Sequence, residues 1–409
     1  MQPLTIVALG IAAVGFTLLS LFNKIQSKQA WRNKSTEPPG PALVPWVGRI
    51  HDLPIEKMWL KFAEWADTYG PLYRTQMLGD NFIIITDEKI AEDLLVKRAK
   101  IYSDRPQIRS LFDAKSTDGS MEYLPLMGKN GTSHRPHCIE EQLLTYVTAH
   151  WARQRKFAHS TLVDAGNARY NGTMYHETKR WLNRLLDEPD DFSWSLEDMC
   201  SKVMTQLSWD DPDMSEYCTK SAWGLLTQMS PAGPITNVLS PLWHLPFSIN
   251  PWKIRERSRH DEQQAWWMER LLKTRKLMET GEARPSFMQK YLDGERTGNL
   301  TGDYEASSAI GMVALVGIFT VAGPLYYFLL AMLHHPEWQR KIQKEIDEQC
   351  CGRMPELTDT PNLPILRACI KETMRWRPNV PTGVAHEVEA DDFYNGYFIP
   401  KGTRILPLD

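Results

Sequence analysis

Glu372 and Arg375 stand three residues apart in the run Lys371-Glu372-Thr373-Met374-Arg375-Trp376-Arg377-Pro378. On a helix that spacing puts a carboxylate and a guanidinium on one face, where they can pair. As a bare surface ion pair it would be worth at most ~1 kcal/mol. The other reactive side chains are six cysteines, Cys138, Cys200, Cys218, Cys350, Cys351 and Cys369. No C-x-x-C pair suggests zinc, and six cysteines in 409 residues are not a disulfide scaffold. With 47 basic and 50 acidic residues the net charge is −3, so no basic field advertises nucleic-acid binding. Hydrophobic residues at 42% and charged residues at 24% exclude wholesale disorder and collagen-like repeats. Fifteen tryptophans favour a large apolar interior or contact with a membrane interface.

The elements that must position these groups begin with an apolar run. No charged side chain occurs from Met1 to Asn23, and residues 3–22, at about 1.5 Å each, are long enough to cross a bilayer core. Lys24, Lys28, Arg32 and Lys34 follow and nothing basic precedes, so the positive-inside rule puts the bulk of the chain in the cytosol. An uncleaved anchor is expected over a cleaved signal peptide, because the first residues lack a Lys or Arg and the run is long. Residues 23–45 read as a basic and proline-rich linker, in which Pro38, Pro39, Pro41 and Pro45 make a stiff spacer above the lipid. A cytosolic domain would leave the N-x-[ST] sequons at Asn33, Asn130, Asn171 and Asn299 unmodified.

Helical periods dominate beyond the linker. Residues 57–69 predict an amphipathic helix that stops at Gly70-Pro71, followed by strands 72–78 and 82–86 around a hairpin at Gly79-Asp80-Asn81. Asp87 can cap a helix over 88–97. Residues 185–292 read as mainly helical, and an apolar loop at 238–252 is a ligand entrance, a membrane-dipping segment or a buried loop. Residues 309–333 carry no charge, which fits either a second membrane span or the central helix of a large core. The end of the chain is β-like, with a type I′ turn signal at Asn395-Gly396.

In this order the pieces resemble a microsomal cytochrome P450, most like the fungal secondary-metabolism enzymes. The Pro38-Pro39-Gly40-Pro41 hinge looks like the family's, and Glu372 with Arg375 looks like its E-x-x-R helix, a structural brace of the haem-binding core. Trp151 and Arg155 resemble the W-x-x-x-R pair that holds a haem propionate, and His386 falls where the family often places another propionate contact. The resemblance implies a mainly α fold with small β-hairpins, a P450-like domain over 46–409, and an N-terminal transmembrane helix. It also makes the apolar segment a core helix, from about 306 to 333, crossing the haem face. There Val316-Gly317-Ile318-Phe319-Thr320 aligns with A-G-x-D-T, where Gly leaves room for oxygen while the acid and Thr deliver protons. Thr320 is retained as the proton relay, but Phe319 replaces the acid and cannot relay a proton.

The family's iron is held by a cysteine thiolate in a glycine- and arginine-containing loop. None of the six cysteines has those surroundings, so the resemblance implies a fold incomplete at the C-terminus, without the axial ligand and with no metal ligand assigned. Residues 130–150 read as an atypical insertion with no helical or strand period, as a retained intron or mis-predicted exon boundary would give. The implied function is a haem-dependent monooxygenase oxidising an apolar small molecule in secondary metabolism. The implied partners are NADPH–cytochrome P450 reductase and membrane lipid, at the endoplasmic reticulum, single-pass, with the catalytic domain cytosolic. The alternatives are an inactive, haem-free fragment and, on the second apolar run alone, a multi-span membrane protein.

Overall fold

Alternation and helical periodicity are both realised in the computed structural model, which describes residues 37–106, 141–165, 171–229, 242–294 and 300–408, apart from 46, 55 and 244. The expected anchor at 3–22 and the basic part of the linker lie outside the described residues. Helix α1 (Met58–Tyr69) buries Phe62 and Trp65 and ends where the Gly70 N–H donates to the Ala66 carbonyl. Strands β1 (Leu72–Met77) and β2 (Asp80–Ile85) pair antiparallel, with Met77 opposite Asp80. Their turn is therefore Leu78-Gly79, at φ +50° and +94°, one residue earlier than the sequence suggested. A two-residue turn of this hand matches the twist of the strands well enough to hold a leucine at positive φ.

The described part of the linker is not a free spacer. The Arg74 N–H donates to the Pro39 carbonyl at 2.8 Å, Arg49 N–H donates to Gln76, and Glu37 pairs with the Arg74 guanidinium at 2.6 Å. Prolines cannot donate to a sheet, but their carbonyls accept, so residues 37–49 cover the open edge of β1.

Asp87 caps α2 (Glu88–Ala91), accepting from Ile90 N at 2.9 Å; the chain continues through a π-helical stretch, Glu92–Lys97, into α3 (Ala99–Tyr102). Next is α4 (Glu141–Ala165), which corrects the reading of 130–150 as devoid of period: residues 141–150 are its first turns. Leu143, Val147 and Trp151 recur every four residues, a helical spacing. Residues 130–140 lie outside the described residues.

Helices α5 (Asn171–Asp187), α6 (Phe192–Trp209), α7 (Ser215–Met229), α8 (Pro251–Glu279), α9 (Phe287–Leu292) and α10 (Asp303–His334) build the main core. Residues 305–315 of α10 are buried throughout, among Phe157 of α4, Leu207 of α6, Leu225 of α7 and Trp267 of α8. The first part of the uncharged run thus lies in the core, whereas from 316 to 333 only Ile318, Ala322 and Ala331 are buried, and α10 is long and apolar enough to cross a membrane. Gly311 permits it: a Cβ there would lie 2.1 Å from the Trp267 ring.

Helices α11 (Pro336–Cys350) and α12 (Pro364–Trp376) lead to β3 (His386–Glu387), β4 (Asp392–Tyr394), β5 (Tyr397–Ile399) and β6 (Arg404–Pro407). The larger sheet runs β1-β2-β6-β3, with β6 parallel to β2 and antiparallel to β3. Successive residues of β2 serve opposite faces. Ile83 and Ile85 pack with Tyr102, Val388 and Ile405, while Phe82 and Ile84 pack with Phe62 and Trp65. The smaller sheet is the β4–β5 hairpin, turned at Asn395-Gly396 as its sequence predicted.

Candidate functional site

Helix α4 rests on the core through Gln154, Phe157 and Thr161, all buried and spaced for one helical face. Trp151 and Arg155, four apart, share a neighbouring face: the Arg155 guanidinium lies 5.9 Å from the Trp151 ring centroid. The indole is half-buried and Arg155 is exposed, so a cation is presented at the edge of an apolar body.

His386 reaches the same region from β3. Its Nδ1 lies 2.8 Å from the Tyr102 carbonyl, so Nδ1 carries the proton and Nε2 holds the lone pair of the neutral ring. Burial, and then the Arg105 guanidinium, holds its pKa down at about 4. Arg105, which the sequence reading missed, stands beside His386 in this candidate site. It donates to the Val384 carbonyl and, at 2.9 Å, to that of Ala385. Its own pKa is lowered by burial and then by Arg155, with Asp104 acting in the opposite sense. Nothing in its local sequence marks it. It reaches His386 because Glu387 N–H bonds the Asp104 carbonyl at 2.7 Å, joining the end of α3 to β3.

Arg155 and Arg105 therefore bring like charge towards the neutral His386 ring: Arg155 disfavours protonated Arg105, and Arg105 disfavours protonated His386. A bound anion reverses both effects, since an opposite charge favours the protonated form. The arrangement suits carboxylates, which Arg can take bidentately and an indole N–H can supplement.

The other expected residues lie apart from this cluster in their contacts. Thr320 is exposed on α10, and its hydroxyl donates to the Val316 carbonyl at 3.0 Å. Pro324 supplies no N–H to the Thr320 carbonyl one turn earlier, leaving that oxygen without its helical donor. Phe319 packs on Trp223 with ring centroids 4.5 Å apart. The space at Gly317, expected to leave room for oxygen, is filled instead by Met204, whose methyl would lie 2.4 Å from an added Cβ. Glu372 and Arg375 do pair, through contacts of 2.7 and 2.5 Å, on an exposed face of α12. Between α10 and α12 lies an apolar cavity of about 290 Å³, lined by Pro324, Leu325 and Phe328 against Leu366, Ile370 and Met374.

Four of the described cysteines are poor thiolate sources. Burial pushes the Cys200 thiol up to about 12, and Cys218, Cys350 and Cys369 are raised by the same cause. Cys138 lies outside the described residues.

Comparison with known proteins follows the same lines. The family model Cytochrome P450 matches residues 38–408. The chain is similar to the cytochrome P450 monooxygenase virE of Hypocrea virens, at 30% identity over 92% of this chain and 65% of that protein. It is similar to the cytochrome P450 monooxygenase claR of Ampulloclitocybe clavipes at 31% identity, over 91% of this chain and 67% of that protein. Cytochrome P450 monooxygenase 58 of Postia placenta is 27% identical over 97% of this chain and 72% of its own length. The chain thus spans about two thirds of the length of the curated relatives it matches.

Proposed function

The chain belongs to the cytochrome P450 family, and from that premise we propose that it is a haem-dependent monooxygenase oxidising an apolar small molecule in a secondary-metabolite pathway. Bound haem would supply the iron chemistry that activates oxygen. The observation that carries the reading is the convergence of Arg105, Arg155 and His386 beside Trp151. Haem's two propionates match the charge of Arg105 and Arg155 and the donor of the Trp151 indole, so these residues would hold its carboxylate end, and His386 would join them once the bound negative charge lets its Nε2 take up a proton. A haem-free fragment is not favoured, because it leaves Arg155 acting against the charge of a buried Arg105 that, among the described residues, Asp104 only partly offsets.

The remaining residues support the reaction from α10 and α12. Thr320 is the one side chain of the 316–320 segment able to hand on a proton. Its hydroxyl donates to Val316, so it accepts from a proton-bearing partner and passes its own proton on only after leaving that carbonyl. Phe319, packed at a tilt against Trp223, keeps the adjacent position apolar. The Glu372–Arg375 pair enters this reading as a brace of the cofactor-binding core, its geometry fixed on α12.

The reading extends to NADPH–cytochrome P450 reductase as electron source and to residues 3–22 as a single anchor in endoplasmic-reticulum lipid, with 46–409 on the cytosolic side. Protease added to intact microsomes should digest 46–409, and protection of that segment contradicts this topology. The cofactor is tested by purifying the chain from cells supplied with haem. Near-stoichiometric haem by pyridine haemochrome assay is expected, and a haem-free product overturns the reading.

A further inference from the structure

Arg153 sits two residues from Trp151 and two from Arg155, about 160° around the helix from each at 3.6 residues per turn. The core-facing stripe of α4, Gln154, Phe157 and Thr161, lies between these two edges. Among the described residues it holds one large apolar side chain, Phe157, and two polar ones, with Ala158 packed beside them.

The Arg153 edge has a fixed partner. Its Nε lies 3.4 Å from Oε1 of Glu305, which is only 2% exposed. The other oxygen of Glu305 accepts the N–H and the hydroxyl of Thr301, both at 2.7 Å. Glu305 stands in the first turn of α10, where unpaired N–H groups favour a negative charge. It is therefore an anchored buried carboxylate, and Arg153 meets it from α4.

We propose that the Arg153–Glu305 pair sets the rotation of α4 about its axis and so aims Trp151 and Arg155 at Arg105 and His386. Arg153 is then a positioning residue for the anion site, acting through Arg155 from the opposite edge of the helix. This rests on the cofactor reading given above. A roll of α4 that separated Arg153 from Glu305 would carry Trp151 and Arg155 around with it, since all three share one backbone.

The test is a haemin titration followed by Soret absorbance on the wild type, Arg153→Met, Arg153→Lys, Arg155→Met and the Arg153→Met/Arg155→Met double variant. Melting curves by circular dichroism run alongside to report folding. Arg153→Met should weaken haemin binding about ten-fold, and Arg153→Lys, which keeps the charge, should recover most of it. In the Arg155→Met background the same change should cost clearly less, because only Trp151 is left to be aimed. Independent multiplication of the two losses, or unchanged affinity in Arg153→Met, overturns the proposal while leaving the cofactor reading in place. If Arg153→Met fails to fold, Glu305→Gln carries the same cycle with Arg155→Met. A wild type that takes up no haemin removes the cofactor reading, and this proposal falls with it.

Discussion

Asn379 donates its side-chain amide to the Phe319 carbonyl at 3.2 Å, and its Oδ1 lies 1.9 Å from where a Cβ on Gly323 would stand. The segment leaving α12 is thereby fastened to the part of α10 that carries Phe319 and Thr320. Gly311, Gly317 and Gly323 of α10 each face a different partner: the Trp267 ring, the Met204 methyl and the Asn379 amide.

Those partners set the effect of adding one methyl. Alanine in place of glycine inside a helix would gain about 1 kcal/mol from propensity alone. Gly311→Ala should nevertheless destabilise by about 2 kcal/mol, because the Trp267 ring is fully buried and rigid. Gly323→Ala should come out near neutral, since displacing Asn379 forfeits a hydrogen bond worth about 1 kcal/mol. Gly317→Ala should be tolerated best, because the Met204 thioether can bend away. Urea denaturation gives the ranking, and a Gly311→Ala variant as stable as wild type would contradict it.

His386 ties stability to pH. Burial and Arg105 hold its pKa at about 4, against 6.5 for the free side chain. The unfolded chain therefore binds a proton near pH 6.5 that the folded chain refuses until about pH 4. Stability from the neutral ring is complete above that window and drains away as pH falls through it, at less than ~1.4 kcal/mol per unit. His386→Gln keeps an N–H for the Tyr102 carbonyl but does not titrate, so its melting temperature should fall less steeply over the same window. Parallel slopes for the two proteins would show that His386 is not the group involved.

The Glu372–Arg375 pair lies in the open, and truncating it should show what it bears on. Glu372 and Arg375 are 60% and 72% exposed, and among the described residues they bond only each other. Arg375→Ala should therefore cost under ~1 kcal/mol in this chain. A loss above about 2 kcal/mol by thermal denaturation would mean that the pair bears on something beyond itself.

Much of this was legible in the sequence. Trp151 with Arg155, and Glu372 with Arg375, are local spacings that a helix converts directly into contacts, and Asn395-Gly396 dictates its own turn. Arg105 was not legible. Its contacts with Val384 and Ala385 span 279 and 280 residues, and only the pairing of Asp104 with Glu387 brings them together. Leu78-Gly79 escaped because leucine seldom takes positive φ, so the turn was placed on the more permissive Gly79-Asp80-Asn81. Gly317 was read for a small ligand because its true neighbour, Met204, comes from another helix.

Haemin and its dimethyl ester differ at the propionates alone, where the ester replaces each negative charge by a methyl cap, so their relative affinity tests the anion site most directly. The wild-type chain should bind haemin at least roughly ten-fold more tightly than the ester, and Arg105→Met and Arg155→Met should each erode that preference. Equal binding of the two by the wild type, or a preference untouched by either substitution, would contradict the assignment of Arg105, Arg155 and His386 as the cradle of the cofactor's carboxylates.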